Sequence, residues 1–551
     1  MHTVTQTGHV MNLATFELRL LPRTANGLIL AVVAVIVATG NATFFARVLA
    51  TYPPAGGNLP ALLSVTAVLA AATILLLAPL CIGRLTKPVL ILALLLAAPG
   101  AYFMDSFGIV INEEMLQNVA QTNVGEAGDL LSFKLLLYCA GFGLLPALLV
   151  ARARLPRRGS RGDLVDRLKL LGLALVVLIG LVLLFGGFYA SFVREHKVLR
   201  SYANPAYPVY SAVNYAKAHL GIGKAMAAAI SPIGLDARRT PGARRKLVVL
   251  VVGETARADH FGLNGYARQT TPRLHAAGVV NFPDFRACGT STAVSVPCMF
   301  SLAGSTGKVE GQESLLDVLQ RAGINVLWLD NNSDSKGVAL RVPYRDFRSP
   351  KNNPQCDIEC RDAGMLPFLQ EYIDGLPEGD VFVVLHQMGN HGPAYYKRYP
   401  EGFEEYAPTC RSNELSRCTN EEIVNAYDNA LRYTDDFLGK AIDLLQRNDE
   451  RFATALFYVS DHGESLGEGG VYLHGLPKAI APASQLHVPA VLWFGQRFYG
   501  IDRSALQARS QQRFSHDNLF HTMLGLLEIE TAIYRPELDI LEGGREGRSA
   551  G

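Results

Sequence analysis

The chain has 551 residues, more than one ordinary domain holds, so at least two domains are expected. Its formal net charge of +2 says little about partners, because the two halves differ in kind. Long apolar runs dominate before about Ala190, and the composition beyond it is that of a soluble globular domain, which excludes a single soluble unit.

Five membrane spans are expected: Gly27–Leu49, Leu59–Leu80, Val89–Met104, Leu130–Val150 and Leu170–Ala190. Each approaches the ~20 apolar residues that a helix needs to cross hydrocarbon, and Val89–Met104 is the shortest. Lys and Arg orient them. Arg152, Arg154, Arg157, Arg158, Arg161, Arg167 and Lys169 lie between spans four and five, Arg84 and Lys87 between spans two and three, and Arg19 and Arg23 before span one. The other two links carry almost no basic residues, so the N-terminus faces the cytoplasm and everything after Ala190 lies outside. The first span has no small-residue cleavage site after it and reads as a retained anchor.

Of eight cysteines, Cys81 and Cys139 lie at or in spans. The other six fall into close pairs, Cys288/Cys298, Cys356/Cys360 and Cys410/Cys418, whose spacings do not suit a zinc-thiolate cluster. In an outward-facing domain they read as disulfides, which places the domain in an oxidising compartment such as the periplasm of a Gram-negative bacterium.

The outward link Ile111–Asp129 is polar and acidic. It is either a solvated loop or a place where Asn and Glu side chains meet the ammonium of a zwitterionic lipid headgroup. Ser191–Lys224 mixes aromatic and basic residues and reads as an interfacial bridge of short amphipathic helices. Pro232–Arg245 is a linker. The expected domains are therefore 1–190, 191–245 and 246–551.

Beyond the linker, apolar runs at Leu247–Val252, Ile324–Leu329, Val381–Leu385, Ala455–Val459 and Val488–Phe494 alternate with helical patterns. That alternation predicts a buried, mostly parallel α/β sheet, in which ligands bind beyond the carboxyl ends of the strands. The residues at those ends are Glu254 and Thr255, Asp330-Asn331-Asn332, His386 to His391, and Ser460-Asp461-His462-Gly463-Glu464. Glu254, Asp461 and His462 form an oxygen and nitrogen ligand set suited to Zn²⁺, with Mn²⁺ possible on the same donors. A hydroxyl from the cluster between Cys288 and Cys298 would complete it and become an activated nucleophile, with Thr255 as a competitor. His391 and His474 are candidates for phosphate binding, a second metal or proton transfer. No G-x-S-x-G elbow or P-loop occurs, and no basic helix or aromatic ladder points to nucleic acid.

Several stretches together resemble the lipid A phosphoethanolamine transferases, the family that includes the mobile colistin-resistance enzymes. They are Val252 to His260 with Leu263 to Tyr266, Cys288 to Thr292 with Ser295 to Ser301, Asn390 to Pro393, Ser460 to Glu468, and Tyr472 to Gly475. The resemblance implies an alkaline-phosphatase/sulfatase-like sheet flanked by helices, behind a five-helix transmembrane domain. It implies ping-pong transfer of phosphoethanolamine from phosphatidylethanolamine to lipid A, with Thr292 as nucleophile. Glu254, Thr292, Asp461 and His462 would hold one tightly bound zinc ion, with a second as an option. Lys336, His391, Glu464 and His474 would be further site residues, and Asn118, Thr122 and Glu126 would bind the headgroup. The protein is expected in the inner membrane, in contact with membrane lipid, as a monomer and without a nucleic-acid partner. Other readings are transfer to another envelope glycan, a membrane-tethered phosphatase or sulfatase, and a catalytically dead binding protein. Some relatives carry a further cysteine pair where this chain has Asn331–Val338 without cysteine, so three disulfides are expected.

Overall fold

The structure is a computed structural model that describes residues 22–545 apart from 55–57, 123, 157–159, 195, 197, 220–229, 241–243 and 308–310. Arg19, Arg157 and Arg158 of the basic segments lie outside the described residues. So do 195, 197 and 220–224 of the expected bridge and 241–243 of the linker. The chain divides into two compact units, Met1–Asn112 with Leu131–Asn214, and Glu113–Leu130 with Tyr215–Gly551.

In the first unit four helices are long and apolar enough to cross a membrane, at Leu59–Leu80, Gly83–Phe107, Phe133–Arg152 and Arg161–Leu184. A fifth span exists if the helices Ala25–Thr39 and Ala42–Thr51, which meet at 59°, are one broken crossing. The break has a local cause. At Gly40 the chain leaves the helix, and the side chains of Asn41 and Asn204 take the carbonyls of Ile36 and Gly40 at 3.0 and 3.1 Å. Asn204 also donates to the Ala97 carbonyl at 2.9 Å. Backbone polar groups freed inside hydrocarbon must be satisfied within the protein, and these two amides do so. The third crossing is longer than the apolar run suggested, because its helix extends through Thr86–Phe107. The last begins inside the basic link, at Ser160, and ends at Leu184. Its charged first turns are helical because Arg and Lys are good helix formers regardless of hydropathy.

The second unit is built on a sheet. The strands in chain order are β1 (Arg238–Arg239), β2 (Lys246–Gly253), β3 (Val280–Arg286), β4 (Asn325–Asp330), β5 (Tyr344–Asp346), β6 (Val381–His386), β7 (Ala453–Ser460), β8 (Ser465–Leu466), β9 (Tyr472–Leu473), β10 (His487–Phe494), β11 (Phe514–Ser515) and β12 (Ile529–Glu530). Eight of them form one sheet in the order β11-β3-β10-β7-β2-β6-β4-β5. The run from β7 through β2, β6 and β4 to β5 is parallel, as the buried apolar strands suggested. β10 runs antiparallel to both β7 and β3. Its register on β3 slips between Val488 and Ala490, at Pro489, which has no N–H for the ladder.

Every residue of β2, β6 and β7 is buried, so both faces of the central strands are covered. Phe382, Phe457, Leu492 and Trp328 sit in one continuous core. Each large apolar side chain buried there contributes about 1.5–3 kcal/mol. The helix Asn420–Asn448 covers part of one face. Its buried positions Ile423, Tyr427, Leu431, Thr434, Leu438, Ile442 and Leu445 recur every three or four residues. Thr419 and Glu422 close its first turn as a capping box, worth about 1 kcal/mol.

The helices Glu113–Gln121 and Val124–Leu130 of the outward loop belong to this second unit rather than to the helices they connect. The first of them packs against the helix Thr292–Met299.

Candidate active site

The carboxyl ends of β2 and β7 deliver the ligand candidates. β2 ends at Gly253, where a Cβ would lie 2.5 Å from the Tyr458 ring, so only glycine lets β2 and β7 approach this closely. The chain then turns sharply through Glu254 and Thr255, the latter at φ 52°. Tyr427 and Ser460 hold the turn: the Tyr427 hydroxyl donates to the Thr255 carbonyl at 2.7 Å, and the Ala256 amide donates to Ser460 Oγ at 2.8 Å. The result points Glu254, fully buried, at the end of β7.

Glu254, Asp461 and His462 each offer a ligand atom, all within 4.8 Å of one another. His462 Nδ1 donates to the Gly463 carbonyl at 2.9 Å, which leaves its Nε2 as a lone pair. That nitrogen lies 3.4 Å from Glu254 Oε1 and 3.4 Å from Asp461 Oδ2. Among the described residues, neither oxygen has a hydrogen-bond partner. Three buried acceptors that face one another without a proton repel, and a cation between them removes the conflict. Oxygen and imidazole donors in this number suit zinc. Burial first, then the neighbouring Asp461, pushes the Glu254 carboxyl well up from its ordinary value. Burial likewise raises Asp461 and lowers His462 to about 4. A second grouping, Cys288, Cys298 and Asp517, offers no thiolate because its two sulfurs are bonded to each other.

The hydroxyl cluster is sorted by its hydrogen bonds. Thr290 Oγ1 donates to the Leu476 carbonyl at 2.6 Å, and Ser295 Oγ is held by Gly289. Thr255 Oγ1 and Ser291 Oγ make no hydrogen bond within the described residues. Thr292 Oγ1 alone reaches the ligand set, 3.1 Å from Glu254 Oε2 and 3.3 Å from His462 Nε2. Ser291 is the N-cap of the helix Thr292–Met299, so Thr292 stands at the positive end of a helix dipole. The Cys288–Cys298 bond ties both sides of this turn together and removes about 2–3 kcal/mol of loop entropy from the unfolded chain. The pairs Cys356–Cys360 and Cys410–Cys418 are also bonded, and Cys81 and Cys139 are free.

His391 and His474 flank the centre. The His474 ring lies 4.3 Å from that of His462 and 5.4 Å from that of His391. Burial lowers His474 to about 4 and holds His391 well below its ordinary value, so both are neutral near pH 7. Glu464 Oε2 lies 3.3 Å from His474 Nδ1, and burial pushes the Glu464 carboxyl up to about 8. Lys336 Nζ donates to the Ser333 carbonyl at 2.8 Å. Its charge interacts with Glu126 of the outward loop and with Glu254. Asn118 lies over Gly475, where a Cβ would be 3.6 Å from its amide nitrogen. The Thr122 hydroxyl donates to the Asn118 carbonyl at 2.7 Å, which ties it to the same helix as Asn118.

Two contributors carried no role in the sequence reading. Asn332 donates to Glu254 Oε2 at 2.7 Å and to the Gln387 carbonyl at 2.6 Å. His516 accepts from the Cys288 amide at 3.1 Å and meets the Ser460 carbonyl at 3.0 Å, which joins the hydroxyl loop to the end of β7. Asn332 stands at a strand end, and that position was its one available signal. His516 has none.

A family model described as Phosphoethanolamine transferase EptA/EptB matches residues 69–220, and one described as Sulfatase matches residues 246–529. The chain is 43% identical over 517 residues to phosphatidylethanolamine transferase Mcr-1 of Escherichia coli, covering 91% of this chain and 94% of that relative. It is 42% identical over 475 residues to phosphoethanolamine transferase EptA of Escherichia coli K12, covering 83% and 85%. The solved structure of integral membrane lipooligosaccharide phosphoethanolamine transferase A from Neisseria meningitidis matches with a TM-score of 0.91 at 37% identity, over 95% of this chain and all of that one. With a sulfatase-like sheet behind a bundle of apolar helices, the chain belongs to the phosphoethanolamine transferase family.

Proposed function

We propose that the chain is a zinc-dependent enzyme of the inner membrane. With its second unit in the periplasm, it moves phosphoethanolamine from phosphatidylethanolamine to a phosphate of lipid A. The observation that carries the reading is the convergence of Thr292 Oγ1 on Glu254 and His462, beside two carboxylate oxygens that lack partners. Lipid A as acceptor rests on the relatives, one of which is named for lipooligosaccharide. Zinc held by Glu254, Thr292, Asp461 and His462 would lower the pKa of the threonine hydroxyl and offset charge on the transferring phosphoryl group.

The steps balance on this chain's own groups. Thr292 Oγ1 gives its proton to Glu254 Oε2 and forms a bond to the donor phosphorus, while the bond from phosphorus to the diacylglycerol oxygen breaks. Glu464, protonated near neutral pH, passes a proton to His474 Nδ1 as the other ring nitrogen protonates the departing oxygen. Diacylglycerol leaves. An oxygen of the acceptor phosphate then attacks the same phosphorus as the bond from phosphorus to Thr292 Oγ1 breaks. Glu254 returns its proton to Thr292 Oγ1, and the proton that the acceptor phosphate gives up restores Glu464 through His474. Neutral His391 and His474 orient phosphate oxygens by hydrogen bonding, Lys336 adds positive charge, and Asn118 and Glu126 face the ammonium. Adding this cation to lipid A masks phosphate charge and weakens binding of cationic peptides such as polymyxins.

Mass spectrometry of lipid A from a sensitive strain expressing the intact protein or Thr292→Ala is the test. Modified lipid A with the intact protein alone supports the reading. Unmodified lipid A with other envelope glycans modified would overturn the acceptor. Free phosphoethanolamine released from labelled donor would show a hydrolase instead.

A further inference from the structure

Asp129 ends the outward loop, and its carboxylate is largely buried against two cations of the catalytic unit. Oδ1 accepts from Lys397 Nζ at 2.5 Å and Oδ2 from an Arg398 guanidinium nitrogen at 2.7 Å. The Asn413 amide donates to the Asp129 carbonyl at 2.8 Å. Arg398 is the more constrained partner, with its side chain 2% exposed. Its Nε donates to the His391 carbonyl at 2.6 Å. Its remaining arm pairs with Glu359, inside the turn closed by Cys356 and Cys360. One guanidinium therefore joins the loop that carries Asn118 and Glu126 to the backbone of His391. A cavity of about 390 Å³ opens beside this junction, walled by Glu126 and Asp129 from the loop and by Met388 and Arg398 from the segment after β6 of the same unit.

We propose that Asp129 and Arg398 form a latch that positions the outward loop, so that donor headgroup contacts and His391 keep one register. Both are positioning residues, and neither touches the reacting atoms. The inference deepens the transferase reading and rests on it. A planar, multiply bonded guanidinium fixes orientation as well as distance, which a surface lysine would not. The arms are unequal. Loss of the Asp129 charge frees the loop while Arg398 still holds His391 and Glu359. Loss of Arg398 frees the loop and His391 together.

The test uses the full chain in detergent with Asp129→Asn, Asp129→Glu, Arg398→Gln and the Asp129→Asn/Arg398→Gln double variant. Amide exchange over residues 113–130 is read beside that of β2 and β7. Rates are measured on labelled phosphatidylethanolamine and on bis(p-nitrophenyl) phosphate, a soluble diester with no ammonium group. Asp129→Asn is expected to speed loop exchange with the core strands unchanged. It should raise KM for the lipid about tenfold and hold diester turnover within about twofold, since a buried charge pair is lost away from the reacting atoms. Asp129→Glu should recover part of the lipid KM. Arg398→Gln should also lower kcat, and the double variant should match it. Parallel loss on both substrates with the loop still protected overturns the latch, as does an Asp129→Asn variant with unchanged exchange and KM. If the intact protein cleaves the diester but not the lipid, the transferase reading fails instead, and loop exchange still decides the latch.

Discussion

Asn332 Nδ2 donates to Glu254 Oε2 at 2.7 Å, and that bond fixes which oxygen of Glu254 is left for a cation. The same amide reaches the Gln387 carbonyl, so it is held from both sides. Asp330 supports the residue from behind: its Oδ1 accepts from the Asn332 backbone N–H at 3.0 Å, and its Oδ2 from Trp328 and His386. Groups that orient a ligand cost about 10–100-fold in metal affinity when removed. Asn332→Ala is expected to weaken zinc binding by that amount and leave the fold intact. Competition against a chelator measures it, and an affinity within twofold of the unaltered chain would contradict the role.

Thr292 separates into two variants. Thr292→Ala removes the atom that carries the phosphoryl group and is expected to lower transfer by about 10³-fold or more. Thr292→Ser keeps the oxygen and loses the methyl that fixes the rotamer, so it should keep measurable turnover. Digestion and mass spectrometry after exposure to donor alone should find the adduct on residue 292. An adduct on Thr290 or Thr255 would show a different nucleophile.

Much of this site is legible in the chain because it depends on local pattern. β2, β6 and β7 are continuous apolar runs; Glu254, Asp461 and His462 follow β2 and β7 directly, and His391 comes five residues after β6. β3 is not legible in that way: Val280–Arg286 alternates buried and half-buried residues and contains Pro283, so it reads as a loop. The Asn332 contact spans 78 residues of sequence, and no local spacing reports it. The break at Gly40 escapes hydropathy, which counts apolar residues and not the Asn204 amide that stabilises the freed carbonyls.

The ionisation of the centre predicts how zinc changes stability with pH. Burial raises Glu254 and Asp461, and raises Glu464 to about 8. Above their ordinary pKa values of 4.5 and 3.8, the folded, metal-free chain holds more protons than the unfolded chain. The stability from these groups is complete below those values and is lost as pH rises through the raised ones. His462, His474 and His516, lowered to about 4 from 6.5, act oppositely, but only half of their unfolded-state protonation is left at pH 6.5 and their gain levels off about one unit above it, so the loss from the carboxylates outweighs it. From pH 6.5 to 8.5 the metal-free protein should therefore lose stability. Zinc neutralises the carboxylates, so the rise in melting temperature on adding it should be larger at pH 8.5 by a few degrees. Thermal melts with chelator and with zinc at both pH values check this, and a larger rise at pH 6.5 would contradict it.

Gly389 supplies the strictest steric prediction. It lies between β6 and His391 at φ 52°, and a Cβ there would be 2.9 Å from the Glu254 carbonyl oxygen and 3.0 Å from the Glu254 Cβ. Neither neighbour can swing away, because the Asn390 amide bonds that carbonyl at 3.1 Å and Asn332 holds the carboxylate. Gly389→Ala adds backbone strain of about 1–2 kcal/mol to an overpacking cost of about 1–3 kcal/mol. Gly402 is the control: its φ is 102°, but nothing lies within 4 Å of its Cβ position. Gly402→Ala should therefore cost only the backbone term and leave zinc affinity unchanged. Gly389→Ala should lower both the melting temperature and zinc affinity, because the displaced backbone carries Glu254. Equal effects of the two substitutions on zinc would mean that the approach of Gly389 does not position the ligand.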